Sequence, residues 1–215
     1  WEVAQRESPA RDLFDGRGGE SLWIPATVPG HVHLDLVRAG VLQDPHHRLG
    51  EIGARWVDEA DWTWRNVFTV APERLASRGR GRHFLVFHGI DTLARIFLNG
   101  RLLGAAENFF LAHRFDVTEL LRAGENEVRV EIDAALRVGR ERAAAYLGDG
   151  TGERGRQHYF NFPPRAFVRK PQYMFGWDWG PELVSCGLHG PVELLTVPVA
   201  EILDWRIDYR FTGPG

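Results

Sequence analysis

Cysteine is almost missing from this chain: Cys186 is the only one in 215 residues. That excludes a disulfide framework and a cysteine-based zinc site. An excess of one charge is also lacking. The 26 basic and 29 acidic residues leave a net of −3, which argues against a general nucleic-acid or anionic-membrane surface. No run approaches the ~20 apolar residues of a membrane helix. The opening run Trp1-Glu2-Val3-Ala4-Gln5-Arg6 has no signal-peptide h-region, and the compartment stays open. There is no internal repeat, no phosphate-binding glycine loop ahead of a helix and no Gly-x-Ser-x-Gly elbow. Cys186 itself reads as a small buried hydrophobe.

What is present suffices for a full core. At 24.4 kDa, with 44% hydrophobic and 26% charged residues, the chain is one large domain or one domain plus a fragment. Its patterning is mostly that of strands. Val128, Val130 and Ile132 alternate with Glu127, Arg129 and Glu131, which predicts a half-buried strand over residues 126–132. Further strands are expected over 62–70, 84–88, 92–98, 183–188 and 192–197. Asn99-Gly100 supplies a hairpin turn, because both residues tolerate positive φ. Short helices are expected only at 31–38 and around 138–146. Many short antiparallel strands separated by turns predict an all-β fold, a sandwich or jelly roll with one or two short helices. Arg78-Gly79-Arg80-Gly81-Arg82 is too short for an RNA-binding tract and reads as a solvated hairpin loop. The glycine-rich connection over 147–170 is long for a structureless loop and reads as functional.

The most informative stretch is Phe175-Gly176-Trp177-Asp178-Trp179-Gly180-Pro181. Exposing an indole to water is costly, so two of them around one carboxylate need a reason. One reading is a shaped loop that stacks on the apolar face of a sugar and holds its hydroxyls on the carboxylate. The other is that both indoles plug the end of a sandwich while Asp178 caps a turn. These residues alone leave the two level.

Other chemistries find less support. His31 and His33 are two apart, yet no third ligand stands at useful spacing, and His46-His47 lies beyond a predicted helix, so no metal site is expected. Glycoside hydrolysis needs two carboxyl groups, ~5–5.5 Å apart for retention or ~6.5–9.5 Å for inversion. Asn126-Glu127 opens an alternating strand and reads as structural. Asp178 has no evident second carboxyl, and a lone carboxylate beside indoles suits binding better than bond cleavage.

Several stretches resemble the N-terminal sugar-binding domain of the β-mannosidase branch of glycoside hydrolase family 2. Val28-Pro29-Gly30-His31-Val32-His33-Leu34-Asp35-Leu36 is similar to its Val-Pro-Gly-x-Val-His-x-Asp-Leu segment. Trp56-Val57-Asp58-Glu59-Ala60-Asp61-Trp62-Thr63-Trp64-Arg65 resembles its Trp-x-x-x-x-Asp-Trp-x-Tyr-Arg run, with Trp64 where tyrosine is commoner. Gly89-Ile90-Asp91-Thr92-Leu93-Ala94, Leu98-Asn99-Gly100, Phe115-Asp116-Val117-Thr118 and Gly124-Glu125-Asn126 are shared with β-galactosidase and β-glucuronidase relatives. The discriminating part begins at Arg169-Lys170-Pro171-Gln172-Tyr173-Met174 and runs through the Trp-Asp-Trp loop.

The resemblance covers about residues 20–200 and implies a jelly-roll, galactose-binding-like domain over 1–198. It implies that Trp177, Asp178 and Trp179 line the subsite for a non-reducing mannose, and that Arg169 and Lys170 support the loop. Exo-β-glucosaminidases carry a related loop, and a stand-alone carbohydrate-binding module is the remaining alternative. The family's catalytic glutamates sit in a (β/α)₈ barrel of about 250 residues. This chain has no βαβα pattern to match it, so catalytic residues are expected to be absent and the isolated chain inactive. Residues 199–215 read as a linker and the first strand of a truncated immunoglobulin-like domain. The implied partners are a β-mannoside or related sugar and the missing barrel, with no nucleic acid, membrane, metal or organic cofactor.

Overall fold

The alternation at 126–132 becomes an inner strand of a six-stranded antiparallel sheet. The computed structural model describes residues 1–6, 15–16, 20–75, 81–147, 163–198, 200–202 and 204–213. In chain order the strands are β1 (Glu2–Gln5), β2 (Asp15–Gly16), β3 (Glu20–Ser21), β4 (Ile24–Pro25), β5 (Trp62–Val70), β6 (Arg82–Phe87) and β7 (Leu93–Leu98). They continue with β8 (Arg101–Ala106), β9 (His113–Asp116), β10 (Gly124–Asp133), β11 (Phe175–Trp177), β12 (Gly180–Glu182) and β13 (Val192–Val197). The helices are α1 (Val32–Arg38), α2 (Gly50–Glu59), α3 (Pro72–Leu75) and α4 (Ala135–Leu147), with 3₁₀ turns at Pro163–Phe167 and Gln172–Met174.

The larger sheet runs β4-β1-β5-β10-β7-β8 and the smaller β13-β6-β9. Their inner faces meet in one core. Trp62 and Trp64 of β5, Val128, Val130 and Ile132 of β10, and Ile96 and Leu98 of β7 come from the larger sheet; Leu85 and Phe87 come from the smaller. The period-2 pattern of β10 is the cause of this arrangement, because every second side chain must leave water on the same face. The all-β sandwich is as expected. No helix among the described residues is long and apolar enough to cross a membrane.

Asn99 and Gly100 have φ of 50° and 78° and close a two-residue turn between β7 and β8. The Asn99 side chain donates to Asn126 Oδ1 at 2.9 Å and accepts from the Glu127 N–H at 3.0 Å. Asn126 in turn donates to the Arg122 and Gly124 carbonyls and accepts from the Arg122 N–H. The Asn126-Glu127 pair is therefore structural, as its place in the alternation predicts. The Asp61-Trp62-Thr63-Trp64-Arg65 run is likewise scaffold. Asp61 accepts from the Ala134 N–H at 2.8 Å and pairs with Arg6 and Arg137, whose bonds hold its carboxyl below the usual range against the opposing effect of burial.

Three expectations need correction. Helices α2 and α3 are additional to the two expected. α2 escapes notice because its apolar positions are sparse: only Ala54, Val57 and Asp58 are buried, while Ile52 stays exposed. α4 begins three residues earlier than expected, at Ala135. Residues 183–188 do not form the strand their composition suggests; only Glu182 before them and an isolated bridge at Gly187 have strand pairing. Their backbone bonds go instead to loops: Gly30 N–H to Leu188 O, Val32 N–H to Cys186 O, and a reciprocal pair between Gly187 and Asp91. Gly187 lies so close to Gly30 that a Cβ would sit 2.4 Å from the Gly30 carbonyl oxygen. Apart from these corrections, the alternating run after 200 pairs with no described strand, and its Trp205, Ile207, Tyr209 and Phe211 side chains are exposed. Arg78, Gly79 and Arg80, and the 148–162 part of the long connection, lie outside the described residues.

Candidate functional site

The Trp-Asp-Trp run is the tip of a short hairpin. Phe175 pairs with Glu182 and Trp177 with Gly180, so Asp178 and Trp179 form a two-residue turn. Gly176 has φ of 89°, a left-handed conformation that favours glycine. Phe175 roots the hairpin: it is buried in a second apolar cluster with Leu93, Ala135, Leu136, Val168 and Val184. Beyond that root the side chains emerge. Trp177 is 47% and Trp179 69% exposed, and Asp178 is exposed without a hydrogen bond to any described residue. Of the two readings of this run, the plugging one fails: neither indole fills the sandwich.

The two indoles do not share one surface. Trp177 and Asp178 line a cavity of about 720 Å³ with Arg165, Glu51 and Glu182, and the Arg165 guanidinium lies 5.0 Å from the Trp177 ring centroid. Trp179 lines a different cavity of about 480 Å³, where its ring meets Tyr173 at 5.5 Å between centroids. Gly180 and Pro181 form the wall between them. Arg165 and Tyr173 are residues that sequence reasoning did not select. Tyr173 stood inside the quoted motif without a role, and Arg165 carries no local signal.

Beneath the hairpin lies a buried polar cluster. Lys170, the only lysine in the chain, has a fully buried side chain that donates to both carboxylate oxygens of Asp91 and to the Ser185 carbonyl. It thereby ties the segment entering the hairpin to the segment leaving it and to the β6–β7 connection. Arg169 contributes differently. Its carbonyl accepts from the Phe109 N–H at 2.9 Å, while its side chain is exposed and has no ion pair among the described residues.

His31 and His33 reach this cluster from the start of α1. His31 Nδ1 faces Asp91 at 3.8 Å, and burial pushes its pKa down. His33 Nδ1 meets Ser185 Oγ at 2.8 Å, and His33 Nε2 faces Asp58 Oδ1 at 3.5 Å. No group of three potential metal ligands occurs among the described residues.

The His33–Asp58 pair has a definite proton economy. Burial pushes Asp58 up to about 7, against a lowering backbone bond from Val184, and pushes His33 down to about 4. Between those values both are neutral when folded, whereas the unfolded chain holds an aspartate and a histidinium. Asp58 alone makes stability fall as pH rises from about 4 to 7, since the folded state then binds the extra proton. His33 alone makes stability rise with pH from about 4 to 6.5, since the unfolded state then binds it. The two slopes cancel over the shared window. We therefore expect Asp58→Asn to give a urea midpoint that climbs with pH over this window and His33→Gln one that declines. Flat profiles for both variants would contradict the assignment.

The comparisons with known proteins agree with this architecture. Residues 1–190 match the model of the family described as glycosyl hydrolase 2 galactose-binding domain-like. Beta-mannosidase B of Aspergillus terreus is 39% identical over 196 residues, 87% of this chain and 22% of that protein. Its counterpart in Emericella nidulans is 39% identical over 84% of this chain and 21% of its own length. The crystal structure of β-D-mannosidase from Dictyoglomus thermophilum superposes with a TM-score of 0.73 at 34% identity, covering 91% of this chain and 21% of that one. The chain thus spans about a fifth of the length of these relatives. By its antiparallel sandwich and the match over nearly its whole length, the chain belongs to the galactose-binding-like N-terminal domains of glycoside hydrolase family 2.

Proposed function

We propose that this chain is the N-terminal domain of a retaining, exo-acting β-mannosidase and that its Trp-Asp-Trp hairpin completes the pocket for the terminal mannose. The observation that carries the reading is the hairpin itself: two exposed indoles and a carboxylate without a hydrogen bond to any described residue, on a projection with a buried root. Asp178 would accept sugar hydroxyls while an indole stacks on the C–H face. A carboxylate so engaged gives specificity, because an epimer that misses one hydroxyl leaves a desolvated charge underpaired. Lys170 supports the hairpin from below, and Arg169 from the side through its backbone. The names of the similar proteins favour mannose. The catalytic glutamates belong to a barrel outside these residues, and the alternating run after 200 is the first strand of the domain between.

The test is turnover by the full-length parent. We expect aryl β-mannoside hydrolysis to exceed aryl β-glucosaminide hydrolysis, and this 215-residue chain alone to turn over neither. The reverse preference would make the parent an exo-β-glucosaminidase. A parent inactive on both, with mannose changing the tryptophan fluorescence of this chain, would make it a carbohydrate-binding module.

A further inference from the structure

The hairpin separates two cavities of different chemistry, and a glycoside has two ends of different chemistry. The cavity on the Trp177 side gathers three carboxylates, Glu51, Asp178 and Glu182, with the Arg165 guanidinium. That is a surface for a ring with all its hydroxyls free. The cavity on the Trp179 side is largely apolar, with Leu34, Val37, Met174 and Leu183 in its lining. The Trp179–Tyr173 pair lines it as well, and its polar groups are His31, Asp44, His46 and the buried, mutually bonded His33 and Ser185. A largely apolar lining, an aromatic pair and a few polar groups fit a pyranose ring held by stacking with few hydroxyl contacts.

We propose that Trp177 and Asp178 serve the terminal sugar, whereas Trp179 and Tyr173 form a separate compartment for the pyranose ring of the leaving group. This rests on the function proposed above and divides its three residues between two subsites. The reason is geometric. With Gly180 and Pro181 standing between the cavities, one ring does not touch both indole faces while the hairpin keeps this form. Trp179 is then a specificity residue for what the mannose is attached to, and Trp177 for the mannose itself. Arg165, over the Trp177 ring, is a positioning residue for the first compartment.

Two substrates separate the compartments: β-1,4-mannobiose, whose leaving group is a sugar ring, and β-mannosyl fluoride, whose leaving group is a single ion. In the full-length parent, Trp179→Ala is expected to lower kcat/KM on mannobiose roughly tenfold more than on the fluoride, the scale of one lost aromatic stack with its buried area. Trp179→Phe, which keeps a ring, should recover most of the difference. Trp177→Ala is expected to lower both substrates by similar factors. Equal losses on the two substrates for Trp179→Ala would overturn the division while leaving the pocket reading intact. No loss on either substrate for Trp177→Ala, Trp179→Ala and Asp178→Ala alike would overturn the pocket reading itself. Both tryptophans are exposed, so unchanged thermal midpoints provide the folding control.

Discussion

Lys170→Met should destabilise the chain by about 3–5 kcal/mol, because it leaves the Asp91 carboxylate buried without its cation. Both side chains are fully out of water, so solvent does not take the place of the lost ammonium. The damage is broader than one pair. The Ser185 carbonyl loses its donor, and the segments on either side of the hairpin lose the atom that joins them. The Thr92 hydroxyl still bonds to Asp91, which softens the loss without neutralising the charge. Urea unfolding measures the effect as a lower midpoint at similar slope. Replacing both partners, Lys170→Met with Asp91→Leu, should recover much of the loss, since an apolar pair of similar volume carries no buried charge. A single variant within about 1 kcal/mol of the parent chain would mean that water reaches the pair, and the hairpin would need another anchor. In the full-length enzyme the same variant should also lose turnover, by freeing the hairpin root.

Asp178→Ala should do the opposite: little to stability and much to catalysis. The side chain is exposed and makes no hydrogen bond to any described residue, so the urea midpoint should move by less than about 0.5 kcal/mol. In the parent enzyme kcat/KM on an aryl β-mannoside should fall roughly 30- to 1,000-fold, equivalent to about 2–4 kcal/mol of transition-state stabilisation for a desolvated charged hydrogen bond. Asp178→Asn keeps the shape and one acceptor and should fall in between. A loss below about fivefold, near 1 kcal/mol, would return the hairpin to a scaffold role.

The contrast between these two variants shows where sequence was readable. Strand β10 was legible because its alternation is local and its apolar members are β-branched. The β7–β8 turn was legible because Asn99-Gly100 names a turn type. Trp177, Asp178 and Trp179 stood out because exposed indoles around a carboxylate need a purpose. Their separation into two cavities was not legible, since it depends on how β11 and β12 pair and on where Arg165 and Tyr173 arrive. Residues 183–188 misled for a related reason: an extended, apolar segment bonded to loops has the composition of a strand. The Lys170–Asp91 pair joins positions 79 residues apart, and no periodicity marks such a contact. The same holds for His33, which was weighed with His31 as a metal ligand, while nothing in the spacing marked its contact with Asp58.

The isolation of Lys170 has a further use. Acylating reagents attack unprotonated, solvent-accessible amines, and Lys170 Nζ is the only side-chain amine in these 215 residues. It is fully buried, so a folded molecule leaves it unlabelled and a molecule whose hairpin root has opened takes a label there. The mass of the labelled chain therefore counts openings of this region directly. Arginine carries the remaining basic charge of the surface, so no other side-chain amine competes for the reagent. These residues thus contain their own chemical reporter of whether the hairpin is seated.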